Sequence, residues 1–131
     1  MTAKLDAIGL VVADLNAAID FYRRLGLDFG DPPDPEGHGH AEAALPGGMR
    51  LMLDSLRSVH EFDPAYEPAS GDPRASLAFR CPSPAAVYQL YATLLNAGAT
   101  SHKEPWDAFW GQRYAQVRDL DGNGVDLYAP I

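Results

Sequence analysis

Thiol chemistry is nearly absent from this chain: Cys81 is the only cysteine among 131 residues. One cysteine excludes an internal disulfide framework and fits a reducing, cytoplasmic setting. Cys81 itself reads as a small buried hydrophobe on a strand. Long apolar runs are also missing. None approaches the ~20 residues that a membrane-spanning helix needs, and Met1-Thr2-Ala3-Lys4-Leu5-Asp6 has no signal-peptide pattern. Excess positive charge is missing too. Ten Lys and Arg face 18 Asp and Glu, giving a net charge of −8 and a pI near 4.7. Such a surface repels phosphates, which argues against a nucleic-acid partner and is compatible with a neutral or cationic small ligand. The sequence contains no Gly-x-Ser-x-Gly nucleophile elbow and no phosphate-cradling loop. What remains is the composition of a soluble globular protein, 47% hydrophobic and 21% charged. Its length bounds it to one compact unit or two small ones sharing a core.

The pattern of the chain is specific. Ala7 to Ala13 is a short apolar run and reads as a buried strand. Asp14 is placed as a helix N-cap, and Leu15, Ala18, Ile19, Tyr22 and Leu25 recur at helical spacing before Gly26 ends the helix. The three prolines of 31–37 exclude regular structure there. His38 to Leu45 and Met49 to Leu53 read as strands around Pro46-Gly47-Gly48. Ser55 to Pro73 reads as a connector. Ala75 to Cys81 is a further strand, and Ser83 with Pro84 starts a second helix whose apolar face is Val87, Leu90, Tyr91, Leu94 and Leu95. His102 to Trp110 reads as a loop with three aromatics. Gln112 to Arg118 and Val125 to Tyr128 alternate around Asp121-Gly122-Asn123-Gly124, the signature of a β-hairpin. Asp126 stands inside its second strand, where a carboxylate needs a reason.

The two halves repeat. One constant shift sets Ala7 on Ser76, Asp14 on Ser83, Ala17 on Ala86, Tyr22 on Tyr91 and Leu25 on Leu94. A slightly longer one sets Gly48 on Gly122, Leu51 on Val125, Met52 on Asp126 and Leu53 on Leu127. The expectation is an α+β fold of two βαβββ modules, residues 5–56 and 74–131, joined by a connector over 57–73. With Val12-Ala13-Asp14-Leu15, Phe21-Tyr22-Arg23-Arg24-Leu25-Gly26 and Asp119-Leu120-Asp121-Gly122-Asn123 taken together, the chain resembles the vicinal oxygen chelate superfamily of glyoxalases, extradiol dioxygenases and bleomycin-resistance proteins. The resemblance implies curved mixed sheets enclosing a cavity, often completed across a homodimer.

In the catalytic members a divalent metal is held by four His or Glu side chains, from the first and last strand of each module. The resemblance places these positions at Ala7, Met52, Ser76 and Asp126. Alanine has no donor, methionine offers a soft thioether, serine is a weak neutral donor, and only Asp126 suits a hard cation. No metal, no other cofactor and no catalytic residue are therefore expected. His38, His40 and Glu42 offer an alternative metal reading against a plainer one as rim histidines, and His60 and His102 read as surface residues.

Strand parity puts Ala7, Gly9 and Val11, Arg50, Met52 and Asp54, Ser76, Ala78 and Arg80, and Gly124, Asp126 and Tyr128 on the ligand side. Trp106, Phe109 and Trp110 suit stacking on a flat ligand, with packing at a sheet or dimer interface as their plain alternative. The chain looks like the antibiotic-binding branch. The expected role is a homodimeric, metal-free protein that sequesters an aromatic or cationic natural product. The expected site is Trp106, Phe109, Trp110, Met52, Asp54, Arg50, Arg80, Asp126, Tyr128, His38 and His40. The alternatives are a metal-dependent lyase or dioxygenase with atypical ligands and an accessory or regulatory ligand-binding module.

Overall fold

The computed structural model describes all residues, Met1–Ile131, as two compact units, Met1–Pro68 and Ala69–Ile131. The α+β class holds, with a three-stranded and a four-stranded sheet, both mixed and both open.

In the first unit β1 (Ala7–Val12) leads into α1 (Leu15–Arg23), followed by β2 (His40–Ala44) and β3 (Arg50–Ser55). The Asp14 carboxylate accepts bonds from the backbone N–H of Asn16 and Ala17, as its sequence position predicts. Leu15, Ala18, Ile19 and Tyr22 are buried, so α1 lays its apolar stripe into the core. β3 is the central strand, parallel to β1 and antiparallel to β2. Leu51 and Leu53 point to the buried face; Arg50, Met52 and Asp54 alternate with them onto the other.

The connector expectation is corrected over its first residues. Leu56–Phe62 forms α2, started by the Ser55 hydroxyl, which accepts from the Ser58 N–H, and anchored by buried Val59. The acidic and proline-rich composition that masks it belongs to the segment after Phe62. His60 is accordingly not a surface loop residue. It sits in α2, half-buried, with Nε2 2.9 Å from the Tyr66 carbonyl.

The second unit runs β4 (Ser76–Arg80), α3 (Pro84–Asn96), β5 (Thr100–Ala108), β6 (Gln112–Arg118) and β7 (Gly124–Pro130), in sheet order β4-β7-β6-β5. Ser83 caps α3, accepting from the Ala86 N–H, with Pro84 in the first turn. The predicted hairpin is β6–β7, paired from Arg118 opposite Gly124 to Gln112 opposite Pro130. Its turn is held by Asp119, whose carboxylate accepts from the N–H groups of Asp121 and Asn123 and from the Asn123 amide. Gly124 is required by packing: a Cβ there would lie 2.9 Å from the Ala75 carbonyl oxygen and from the Ser76 Cβ. Its absence lets β4 approach β7. Cys81 is buried just after β4, and burial pushes its thiol up.

The aromatic stretch read as a loop is corrected as well. Residues His102 to Ala108 belong to β5, and only Phe109, Trp110 and Gly111 remain as the β5–β6 turn. Pro105 and two register shifts break the alternation that would mark a strand. These irregularities are tolerated because β5 pairs on one side only.

Candidate functional site

The site-bearing surface of the second unit follows from register. Ala115, Val117, Val125 and Leu127 are fully buried, and on the same side Tyr91 of α3 meets Ser101 Oγ at 2.6 Å. The opposite face carries rows of side chains running across the strands. One row is Arg80, Tyr128, Tyr114 and Trp106; the next is Ala78, Asp126, Gln116 and Lys103; a third begins with Ser76, Gly124 and Arg118. Neighbouring rows lie two residues apart along β4, β6 and β7, roughly 6.5 Å, and three apart on β5, where the register shifts between Lys103 and Trp106.

The first row is aromatic. Tyr128 and Tyr114 stack with centroids 6.0 Å apart and planes inclined by 19°. Trp106 meets Tyr114 edge-on at 5.5 Å, and Trp110 contacts both Tyr114, at 5.4 Å, and Trp106, at 6.2 Å. Phe109 packs against Trp110 at 5.0 Å but remains 97% exposed, with Trp110 at 49%. Such edge-to-face contacts suit aromatic quadrupoles and hold the rings without covering them. The Trp110 indole N–H donates to Gln112 Oε1 at 2.8 Å. Lys103 Nζ lies over the Trp106 ring, 4.0 Å from its centroid, so one face of that indole already holds a cation.

Asp126 anchors the second row and is only 6% exposed. Its Oδ2 accepts from the Tyr114 hydroxyl at 2.7 Å and from Ser76 Oγ at 3.3 Å; its Oδ1 is 3.5 Å from Gln116 Nε2. Burial, reinforced by the adjoining carboxylate, pushes the Tyr114 phenol well above its usual range. Tyr114 therefore stays protonated and serves as a fixed donor. A cavity of about 260 Å³ opens beside Asp126, lined also by Ser76, Arg74, His102, Gln116 and Arg118. A shallower depression of about 530 Å³ follows β5 from Ser101 to Trp106.

The first unit treats its polar groups differently. His40 lies between two carboxylates, with Nε2 2.7 Å from Glu42 and Nδ1 2.7 Å from Asp54. Those bonds, to Glu42 first and Asp54 second, raise the imidazole above its ordinary value. Arg50 donates to Glu42 at 2.7 Å and to Asp6 at 2.6 Å; the bond to His40 first, and that to Arg50 second, hold Glu42 below its usual range. Arg50, Asp54 and His40 thus fall in one network, whose other members, Glu42 and Asp6, were not among the expected site residues. His38 does not share their strand. β2 starts at His40, and Gly39 between them has φ +106°, which breaks the alternation. His38 instead has Nε2 2.9 Å from Arg57 Nη1, with Nδ1 buried and unbonded. Met52 is half-buried on the face it shares with Gly9.

The ligand positions implied for a metal do not fit one. Ala7 has no donor, Met52 a thioether, and the Ser76 hydroxyl is spent on Asp126. No group of three or more His, Cys, Asp or Glu side chains is arranged to hold an ion. Within the second unit the structure brings Trp106, Phe109, Trp110, Asp126, Tyr128 and Arg80 onto one sheet face or its rim. Sequence reasoning missed Tyr114, Gln116 and Lys103. Tyr114 and Gln116 were within reach, because the hairpin register places them opposite Tyr128 and Asp126.

No helix is long and apolar enough to cross a membrane. No curated protein sequence matches the chain. Among solved structures, a glyoxalase/bleomycin resistance protein/dioxygenase family enzyme from Burkholderia phytofirmans superposes with a TM-score of 0.79 at 19% identity, over 98% of this chain and 100% of its own. A glyoxalase-related enzyme from Fulvimarina pelagi gives 0.76 at 20% identity, over 98% and 88%. A superfamily member from Sphaerobacter thermophilus gives 0.63 at 26% identity, over 98% of both chains. The family profile described as Glyoxalase/Bleomycin resistance protein/Dioxygenase superfamily matches residues 4–127, and the chain belongs to that superfamily.

Proposed function

We propose that this protein is a metal-independent binding protein that captures a planar aromatic small molecule reversibly, a natural product with a basic group among the best candidates, and acts by sequestration rather than by chemistry. The observation that carries the reading is the aromatic row Tyr128–Tyr114–Trp106, extended by Trp110 and Phe109, lying one row away from the buried carboxylate of Asp126. Rings gain roughly 0.5–1.5 kcal/mol each from such stacking, and a fixed acceptor orients the ligand's polar end. The poor donor set at Ala7, Met52, Ser76 and Asp126 supports binding over metal-assisted turnover. Antibiotic resistance and a homodimer that completes the site are the biological form this reading takes.

The test is a fluorescence titration against a panel of planar, cationic, DNA-damaging natural products. Trp106→Ala weakens binding more than about ten-fold if stacking contributes ~1.4 kcal/mol or more. Equal affinity in the parent, Trp106→Ala and Trp110→Ala proteins sinks the assignment, and a stoichiometric divalent ion in the purified protein favours an enzyme instead.

A further inference from the structure

Asp126 is a buried carboxylate without a cationic partner. Its three hydrogen-bond donors are neutral, and none of the chain's ion pairs includes it. A buried charge in that position is costly unless a counter-charge arrives. Oδ1, with one bond at 3.5 Å, keeps the larger share of its acceptor capacity. The same small cavity is lined by two guanidiniums. Arg74 is exposed and makes no ion pair or side-chain hydrogen bond. Arg118, only 17% exposed on its side chain, meets a single carboxylate, Asp72, at 3.5 Å, and that side chain is 85% exposed to solvent. One cavity thus presents both signs of charge, and among its Asp and Arg side chains only Arg118 and Asp72, which also lines it, are paired.

Resting on the binding reading above, we infer that this cavity is a head-group pocket for an aromatic zwitterion: the ligand's ammonium meets Asp126, its carboxylate meets Arg74 and Arg118, and its ring lies on the Tyr128–Tyr114–Trp106 row. Volume supports the division. About 260 Å³ falls below the ~300–1,000 Å³ of pockets that enclose a whole drug-sized ligand, but it accommodates an ammonium and a carboxylate joined through one carbon. The spacing of roughly 6.5 Å between rows matches a short linker to the ring. Lys103 orients the ligand: its ammonium occupies a face of Trp106, so a ligand cation finds its counter-charge at Asp126 and not at that indole. The chain's overall charge of −8 suggests a purely cationic ligand, and the presence of Arg74 and Arg118 in the same cavity as Asp126 replaces that with an amphoteric one.

Four probes that share one ring separate the contributions: indole, tryptamine, indole-3-acetate and tryptophan, titrated calorimetrically into the full chain. Tryptophan binds tightest. Arg74→Gln, at an exposed residue without partners and therefore harmless to folding, weakens tryptophan and indole-3-acetate by about ten-fold and leaves tryptamine and indole unchanged. Arg118→Gln does the same. Asp126→Asn weakens tryptophan and tryptamine but not indole-3-acetate. Tryptophan binding no tighter than tryptamine, or unaltered by Arg74→Gln, overturns the zwitterion pocket. In that case, loss of tryptamine and indole binding in Trp106→Ala shows that the aromatic row still holds a ring. Binding of none of the four at millimolar concentration overturns the zwitterion pocket, and the natural-product titration above then decides the binding reading by itself.

Discussion

The two modules share a strand–helix–strands plan, yet the exposed faces of their sheets are opposite in character. On the first, Asp6, Arg50, Glu42, His40 and Asp54 form an unbroken chain of alternating charge, so nearly every ionised group there already has its partner. On the second, rings replace the ion pairs and the charges around the cavity stand largely apart. A surface that satisfies itself has little to gain from a ligand; one that leaves a buried carboxylate and a guanidinium unpaired does. The module whose polar groups are unfinished is therefore the better candidate for a binding face.

The contrast breaks most visibly at Tyr114, whose hydroxyl is the shortest bond to the buried carboxylate. Tyr114→Phe keeps the ring in the aromatic row and removes that donor. Leaving a buried charged acceptor short of a bond costs about 1–3 kcal/mol, read as a lower midpoint in urea unfolding with an unchanged slope. An unchanged midpoint shows that solvent, rather than Tyr114, satisfies Asp126.

A smaller effect compares the caps that the repeat places at equivalent positions. Asp14 accepts from two backbone N–H groups of α1, whereas Ser83 accepts from one of α3. A capping residue replaced by alanine costs about 0.5–2 kcal/mol. Asp14→Ala belongs towards the upper part of that range and Ser83→Ala towards the lower. The carboxylate also gains from the positive end of the helix, which the hydroxyl does not. Equal losses in thermal unfolding remove this distinction between the modules.

The repeat itself was legible because it rests on local chemistry. Asp14, Ser83, Pro84 and the Asp121–Gly124 turn act within a few residues of themselves, and their signals survive in the sequence. What the sequence hid depends on partners far along the chain. β5 was missed because Pro105 and two bulges disrupt its alternation, and pairing with β6 overrides that local disorder. α2 was missed because its seven residues are too few for a periodic pattern to show. Parity alone placed Arg50 and Asp54 beside Met52 on one face, but it could not reveal that Glu42 and His40 on β2 neutralise them. The aromatics stand out as a group in the sequence, but the row that Trp106 forms with Tyr114 and Tyr128 shows only once β5, β6 and β7 are aligned.

The smallest expected effect tests whether the first module's face is a stabilising network. His40→Gln keeps hydrogen-bonding capacity and removes the charge. The imidazole of the folded protein is raised by Glu42 and Asp54. Its contribution is therefore fully present below the unfolded value of about 6.5 and is lost as pH rises through the higher folded value. Glu42 is depressed, so its contribution is present above its unfolded value and is lost as pH falls through the folded one. Between those limits the network is complete. The melting-temperature gap between the parent and His40→Gln is then larger at pH 5.5 than at pH 8.5. It stays small, because the His40, Glu42 and Asp54 side chains are 43%, 37% and 33% exposed and solvent screens such pairs. At about 1 M salt, where the Debye length shrinks to ~3 Å, the gap at pH 5.5 narrows further. A gap independent of pH means that His40 acts there as a spacer between β2 and β3, and the two faces then differ in residue type but not in electrostatic design.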